Sequence, residues 1–133
     1  MKSLTQQYMH EAAETLPKVR KEFADANSMN ASLCERGFAS GVELTIKAYE
    51  FEMTGKITHT HSITAICQSC GLWGVLPSDL QSTVQEWAPF DPNVRYADTR
   101  QNYTLVHSTT AEKFDRMTTK ALELHSFVTS LLK

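Results

Sequence analysis

Residues 110–132, TAEKFDRMTTKALELHSFVTSLL, decide the fold class of this chain. Their apolar positions recur at steps of three and four residues, and these are Phe114, Met117, Ala121, Leu124, Val128 and Leu131. Such spacing lines up one face of an α-helix. Thr109-Thr110-Ala111-Glu112 has the form of a capping box, which marks a helix start. We therefore predict a long amphipathic helix from about Thr110 to Leu132.

The first two predicted helices are also long. One begins after Ser3 and runs toward Phe23, with Pro17 either kinking it or opening its second half. After a break at residues 27–30, a second capping box, Ser32-Leu33-Cys34-Glu35, starts the next helix. That helix ends at Gly55, because glycine adopts a left-handed backbone at low cost. Its apolar residues occupy more than one stripe, so we expect it at the centre of the bundle.

Two shorter helices are predicted before the last one. Thr60 or Ser62 caps the first of them, which ends near Gly71, and Ser78 or Asp79 caps the second. Spacings of three and four residues dominate throughout, and no two β-branched runs are joined by an Asn-Gly or Asp-Gly turn. The sequence therefore predicts an all-α, up-and-down bundle of four or five helices in a single domain over residues 1–133.

Composition limits the classes of function. The chain has 133 residues, of which 41% are hydrophobic and 21% charged, as in ordinary globular domains. Its formal net charge of −2 argues against a broad polyanion binder, because such binding needs many Lys and Arg side chains to release counterions together. Any nucleic-acid contact must be local. With no long apolar run and no signal-peptide pattern, we expect a cytoplasmic protein with no membrane partner.

Three segments carry a family resemblance. The central helix contains Val42-Glu43-Leu44-Thr45-Ile46-Lys47-Ala48, Thr60-His61-Ser62 follows it, and Val94-Arg95-Tyr96 precedes the last helix. In this order they resemble the HEPN family, small helical domains found beside nucleotidyltransferases and in toxin systems. The resemblance covers about residues 35–130. It implies a HEPN-like bundle, nucleotide or RNA binding, a homodimer, and as another partner class a protein such as a nucleotidyltransferase or a toxin.

The resemblance also implies a catalytic pair. HEPN ribonucleases use an Arg and a His with four to six residues between them, and six residues separate Arg100 from His107. A His near neutrality can take the proton of a ribose 2′-hydroxyl or return one to the leaving 5′-oxygen, while a guanidinium stabilises charge on the phosphate without a metal. The competing interpretation is that His107 is a solvated loop residue and that Arg95 pairs with Asp91 or Asp98.

The remaining site residues are implied as nucleotide- or phosphate-binding groups. Arg95 and Tyr96 are similar to a HEPN branch with an Arg-Tyr-Pro signature, here with Ala instead of Pro, in which binding is implied more than cleavage. The resemblance adds Lys47 as a phosphate-side cation, Glu43 as a group that orients Arg95, and His61. From spacing alone, Glu43 and Lys47 are an i,i+4 pair, which stabilises an exposed helix by only about 0.2–0.5 kcal/mol.

Potential metal ligands occur between the second and third helices. They are His59, His61, Cys67 and Cys70. A structural zinc site commonly joins two well-separated ligand pairs, whereas one short turn would have to wrap the ion here while also starting a helix. We therefore predict no metal and no other cofactor, with reduced thiols and Cys67 in the core. His125 is predicted to be a helix-surface residue.

The leading functional hypothesis is a HEPN-like nucleotide- or RNA-binding protein, whose catalytic form is a metal-independent endoribonuclease of a toxin or defence system. The alternative is a non-catalytic interaction module, such as the partner or antitoxin subunit of a nucleotidyltransferase or an immunity protein that occludes a toxin. A third hypothesis is a bundle that serves only assembly. A ribonuclease needs Arg100 and His107 to be accessible and convergent, whereas a binding module needs an exposed apolar or acidic patch.

Overall fold

Five α-helices, one 3₁₀ turn and no β-strand make up the part of the chain that the structure, a computed structural model, describes. That part is residues 1–24, 28–59, 62–87 and 110–133, without the side chains of 28–32 and 86–87. The helices are α1 (Ser3–Phe23), α2 (Ser28–Thr54), α3 (Ile63–Ser69), α4 (Ser78–Trp87) and α5 (Ala111–Leu131), and the 3₁₀ turn is Trp73–Val75. The all-α prediction is confirmed for these residues.

The closest helix contact joins α1 to α2. A Cβ atom built on Gly37 would lie 2.5 Å from Cγ1 of Val19, and one built on Gly41 would lie 2.7 Å from Cγ of Leu16. Real Cβ atoms do not approach other atoms so closely, so the two glycines let the α1 side chains rest on the α2 backbone. Because the earlier glycine meets the later α1 residue, the two helices run antiparallel.

Helix α5 packs antiparallel to α1. Nε of Arg20 lies 2.7 Å from a carboxylate oxygen of Asp115 at one end, and Nε2 of His125 lies 2.8 Å from the carbonyl oxygen of Met9 further along. His125 is half-buried, so the prediction of a surface histidine is wrong. Helical spacing alone does not show this contact, because the carbonyl group of Met9 is brought opposite His125 only by the packing of α1.

Phe114 joins the three long helices. Its ring stacks on Phe23 of α1 with centroids 4.0 Å apart, and it meets the Phe38 ring of α2 edge-on at 6.1 Å. All three rings are buried. Such aromatic pairs contribute about 0.5–1.5 kcal/mol beyond the burial of their area. The predicted α5 stripe is confirmed as a core face, with Leu131 only half-buried at the helix end.

Helices α3 and α4 close another side of the bundle. Helix α3 packs on α2, and α4 contacts α2, α3 and α5. Ser62 occupies the N-cap position of α3, and Gly71 beyond its end has a φ of +86°.

The predicted cap of α4 is wrong, because the carbonyl of Pro77 accepts the first helical N–H groups while Ser78 and Asp79 lie inside the first turn. The 3₁₀ turn between α3 and α4 was not predicted.

The start of α2 also differs from the prediction. The helix begins at Ser28, so residues 28–30 are not a break and Ser32 lies inside the helix instead of capping it. Glu35, expected to reach back to that cap, is fully buried in the core. The segment 28–36 contains neither Gly nor Pro, and each residue added to an existing helix gains a backbone hydrogen bond. That gain outweighs the weak helix propensity of Ser and Asn.

The start of α5 is shifted by one residue from the prediction. Thr110 is the N-cap, and its hydroxyl oxygen accepts a hydrogen bond from the backbone N–H of Lys113 at 3.1 Å. The capping box predicted from Thr109 to Glu112 is therefore wrong, although the helix follows at the expected place. Two consecutive threonines offer two caps, and the helix uses the second one.

We predict that Gly41→Ala destabilises the fold. The added methyl group would meet the fully buried Leu16, and overpacking costs about 1–3 kcal/mol. The gain in helix propensity from Gly to Ala is at most about 1 kcal/mol. The urea midpoint should therefore fall. Gly74→Ala is the control, because no atom lies within 4 Å of its added Cβ. A Gly41→Ala protein as stable as the wild type would contradict the close contact.

Candidate functional site

Glu43 and Lys47 form a recessed ion pair on α2. Nζ of Lys47 lies 3.5 Å from Oε2 of Glu43, and the two side chains are only 13% and 17% exposed. The predicted i,i+4 pair is therefore present in the structure, but its side chains are mostly shielded from solvent. Partial removal from water strengthens the attraction between opposite charges and makes either charge costly without its partner. A pair of this kind is better placed to hold a charged ligand group than a solvated surface pair.

The recessed pair belongs to a polar face of α2. Arg36, Ser40, Glu43 and Lys47 follow one another at steps of four, three and four residues, which places them on one side of the helix. Arg36 and Ser40 are exposed. This face differs from the one formed by Gly37 and Gly41, which α1 covers. The polar face therefore runs from open surface at Arg36 to the recessed pair.

The other predicted site residues lie outside the described part of the chain. They are Arg95, Tyr96, Arg100, His107 and His61. Whether Arg100 and His107 converge, and whether Glu43 orients Arg95, therefore stay predictions. Of the predicted site, the structure describes only the two residues of the recessed pair.

Glu50 is a polar core residue that the sequence patterns missed. Its side chain is 4% exposed, and its carboxylate accepts hydrogen bonds from the backbone N–H of Thr58 at 2.9 Å and from the Thr58 hydroxyl. These bonds tie the chain that follows α2 back onto α2, immediately before His59. The available signal was that Glu50 follows Ile46 by four residues and so lies on the same side of the helix as this apolar residue.

The cysteines occupy environments that favour the protonated thiol. All three are free, and Cys67 is fully buried, as predicted. Burial, with a smaller contribution from Cys70, raises the pKa of Cys67 from 9.0 to about 12. Burial likewise raises the pKa of Cys70, of Cys34 and of the Tyr49 hydroxyl. Because the thiolate is the reactive form, this environment disfavours a nucleophilic role.

The described residues offer no metal site. Within the ranges given above, no three His, Cys, Asp or Glu side chains are grouped so that they could hold a metal ion. His59 is exposed, and His61 falls outside those ranges. The expectation that the protein needs no metal therefore stays a prediction.

Comparison with known proteins does not assign the chain to a family. No family model, no curated protein and no solved structure matches it. The HEPN resemblance accordingly rests on the motifs quoted above. Of the helices that the structure describes, none is both long enough and apolar enough to cross a membrane.

We predict that the native cysteines react slowly with a thiol reagent near neutral pH. Half-buried Cys70 should react before Cys67, because Cys67 is both inaccessible and almost entirely protonated well below its pKa of about 12. Mass spectrometry of the labelled protein at successive times measures the order. Protein unfolded in urea is the control, and all three thiols should react quickly there. Rapid labelling of Cys67 in the folded protein would contradict its burial.

The raised pKa of Cys67 also predicts a pH dependence of stability. The folded state holds the thiol proton more tightly than the unfolded state, so the contribution to the free energy of unfolding is complete below pH 9 and is lost as the pH rises toward about 12. Comparing the alkaline decrease in urea midpoint between the wild type and Cys67→Ala isolates this group. Equal decreases in both proteins would mean that the thiol does not titrate in this way.

Proposed function

We propose that this protein is a HEPN-like nucleotide- or RNA-binding protein and that Arg100 and His107 give it metal-independent endoribonuclease activity. The observation that carries the proposal is the recessed pair of Glu43 and Lys47 on the central helix. HEPN domains have a Glu and a Lys at this place, near the Arg-Tyr segment. The all-α bundle of the described residues is compatible with the same family.

The recessed pair supports binding of a charged ligand by its geometry. Direct charge-assisted hydrogen bonds measure about 2.7–2.9 Å, whereas Lys47 Nζ and Glu43 Oε2 are 3.5 Å apart. The N–H groups of the Lys47 ammonium therefore form only a weak interaction with the Glu43 carboxylate. A phosphate oxygen could accept a hydrogen bond from one of them, and the Glu43 carboxylate would keep the ammonium in place.

The proposed reaction uses two side chains. His107 takes the proton of the ribose 2′-hydroxyl, and the 2′-oxygen attacks the adjacent phosphorus atom as the bond to the 5′-oxygen breaks. The imidazolium of His107 returns this proton to the leaving 5′-oxygen, and the product ends in a 2′,3′-cyclic phosphate. Arg100 stabilises the negative charge that develops on the phosphate oxygens. In a homodimer, two Arg100–His107 pairs would face one another across an anionic-substrate cleft.

The non-catalytic alternative is favoured by one sequence observation. Arg95-Tyr96 is similar to the HEPN branch in which binding of a nucleotide or a partner protein is implied more than cleavage. In this form of the proposal Arg95 and Lys47 hold the ligand, and Arg100 and His107 are dispensable. The partner would be a nucleotidyltransferase or a toxin.

We predict that the purified protein cuts single-stranded RNA in the presence of EDTA and leaves a cyclic phosphate. Arg100→Ala or His107→Ala should each lower the rate by about 10²–10⁴, the usual effect of removing a general acid-base or charge-stabilising group. Gel electrophoresis and mass spectrometry of the products measure both the rate and the cyclic end. His10→Ala is a matched control, because His10 is 72% exposed and pairs only with Glu14 among the described side chains.

Two outcomes separate the forms of the proposal. If the wild type cuts nothing while Lys47→Ala weakens nucleotide binding and Lys56→Ala does not, the non-catalytic form holds. If RNA and nucleotides are neither cut nor bound, the proposed function is wrong. Urea unfolding of Lys47→Ala checks that the loss is not one of folding, since removing Lys47 leaves Glu43 recessed without this partner.

We predict a dimer in solution, because HEPN domains commonly pair and each protomer supplies only one Arg100–His107 pair. Multi-angle light scattering at micromolar concentrations measures the mass, for which the monomer value is 15.0 kDa. A strict monomer would leave the catalytic residues without facing partners. That result would favour the interaction module.

A further inference from the structure

Exposed cations that form no ion pair with a described carboxylate gather at one end of the bundle. We call this surface the basic end, and it consists of Lys18, Lys21, Arg36, Lys113 and Arg116. Two contacts bring the three helices to the same level there. Phe23 of α1 stacks on Phe114 of α5, and Gly37 of α2 lies against Val19 of α1.

The five cations differ in their contacts from most other cations in the bundle. All five are exposed, and none forms an ion pair with a described carboxylate. Lys2 instead donates to carbonyl groups at the end of α2, Lys47 pairs with Glu43, and Lys120 pairs with Asp79 of α4. No carboxylate of the described residues therefore neutralises the basic end by a direct ion pair.

The carboxylates at the basic end do not cancel its charge. Asp115 is engaged by Arg20 at 2.7 Å, and Glu35 is fully buried. Glu22 and Glu112 are the exposed carboxylates that remain among the described residues at this level. Among the described residues at this level, five exposed cations against these two carboxylates leave a positive balance, although the whole chain carries a formal charge of −2.

We propose that the basic end binds consecutive phosphate groups of single-stranded RNA. This inference rests on the proposed function and adds the place and the kind of ligand. A mononucleotide is too small, because the cations lie on three helices whose axes are about 8–10 Å apart when packed. A polynucleotide presents regularly spaced charges that can reach several of them, and a near-neutral protein can hold a polyanion only at such a local positive surface.

The test compares pairs of substitutions that change the net charge equally. Two variants neutralise the basic end, Lys18→Gln with Lys21→Gln on α1 and Lys113→Gln with Arg116→Gln on α5. The control, Lys56→Gln with Lys133→Gln, removes two exposed cations beyond the opposite helix ends, after α2 and after α5. The probe is a fluorescein-labelled oligouridylate with 2′-O-methyl groups, which cannot be cleaved through its 2′-oxygen. Fluorescence anisotropy across a salt series gives the dissociation constant and its salt slope.

We expect at least one basic-end pair to weaken binding by roughly fourfold to twentyfold, since each exposed ionic contact is worth up to about 1 kcal/mol. The control pair should change the dissociation constant less than about twofold. The salt slope should become shallower by about 0.7 for each single-strand phosphate contact that is lost. Circular dichroism verifies that the exposed substitutions leave the helices intact.

The outcomes that overturn the inference are distinct. If the wild type binds or cuts RNA but both basic-end variants behave like the control, the proposed function stands and this surface is not its RNA contact. If polyglutamate competes as well as unlabelled RNA, the basic end does not distinguish RNA from acidic polypeptides, and RNA is the wrong ligand. If the wild type neither binds nor cuts RNA, this inference fails, and the proposed function fails with it when nucleotides do not bind either.

Discussion

The close approach of α1 to α2 at Gly37 and Gly41 is the constraint on which the other contacts depend. Because Leu16 and Val19 rest directly on the α2 backbone, α1 takes up one full side of the central helix. The remaining sides are left for α5 and for α3 with α4. The level of this contact also sets where Phe114 of α5 can insert between α1 and α2. The antiparallel order and the location of the basic end both follow from it.

Local patterns predicted the helices well where one face alone is buried. The stripe of α5 has a single apolar side, so its periodicity identified both the element and its core face. Helix α2 is covered on several sides, and its start was missed because the Ser32 capping pattern occurs inside a continuous helix. A cap is only a local alternative. A capping residue starts a helix only where the residues before it do not themselves form stable helical turns. Tertiary contacts near the cap, such as the burial of Cys34 and Glu35, can change that stability.

The pairing of Glu43 with Lys47 was predictable from the sequence, but the environment of the pair was not. The spacing of Glu43 and Lys47 indicated a pair, yet their low exposure depends on neighbours that are distant in sequence. Glu50 and His125 were missed for the same reason, since their partners Thr58 and Met9 are set by chain reversal and helix packing. Spacing therefore gives the side chains that can meet. Tertiary packing decides which of these side chains are shielded from solvent.

The exposed cations of the basic end and the recessed Lys47 would contribute to RNA binding in different ways. The basic-end cations are solvated, so their attraction for a polyanion acts over about a Debye length and weakens as salt is added. Lys47 is recessed and already has Glu43 beside it, so a ligand phosphate would have to approach the ammonium group alongside that carboxylate. A phosphate contact with Lys47 would add little to the long-range attraction, but it would depend on the position of the phosphate. Salt would screen this contact less than it screens the contacts of exposed cations. If both surfaces contact one RNA strand, affinity at low salt should reside mainly at the basic end. Discrimination between correctly and incorrectly placed phosphates should then reside at Lys47.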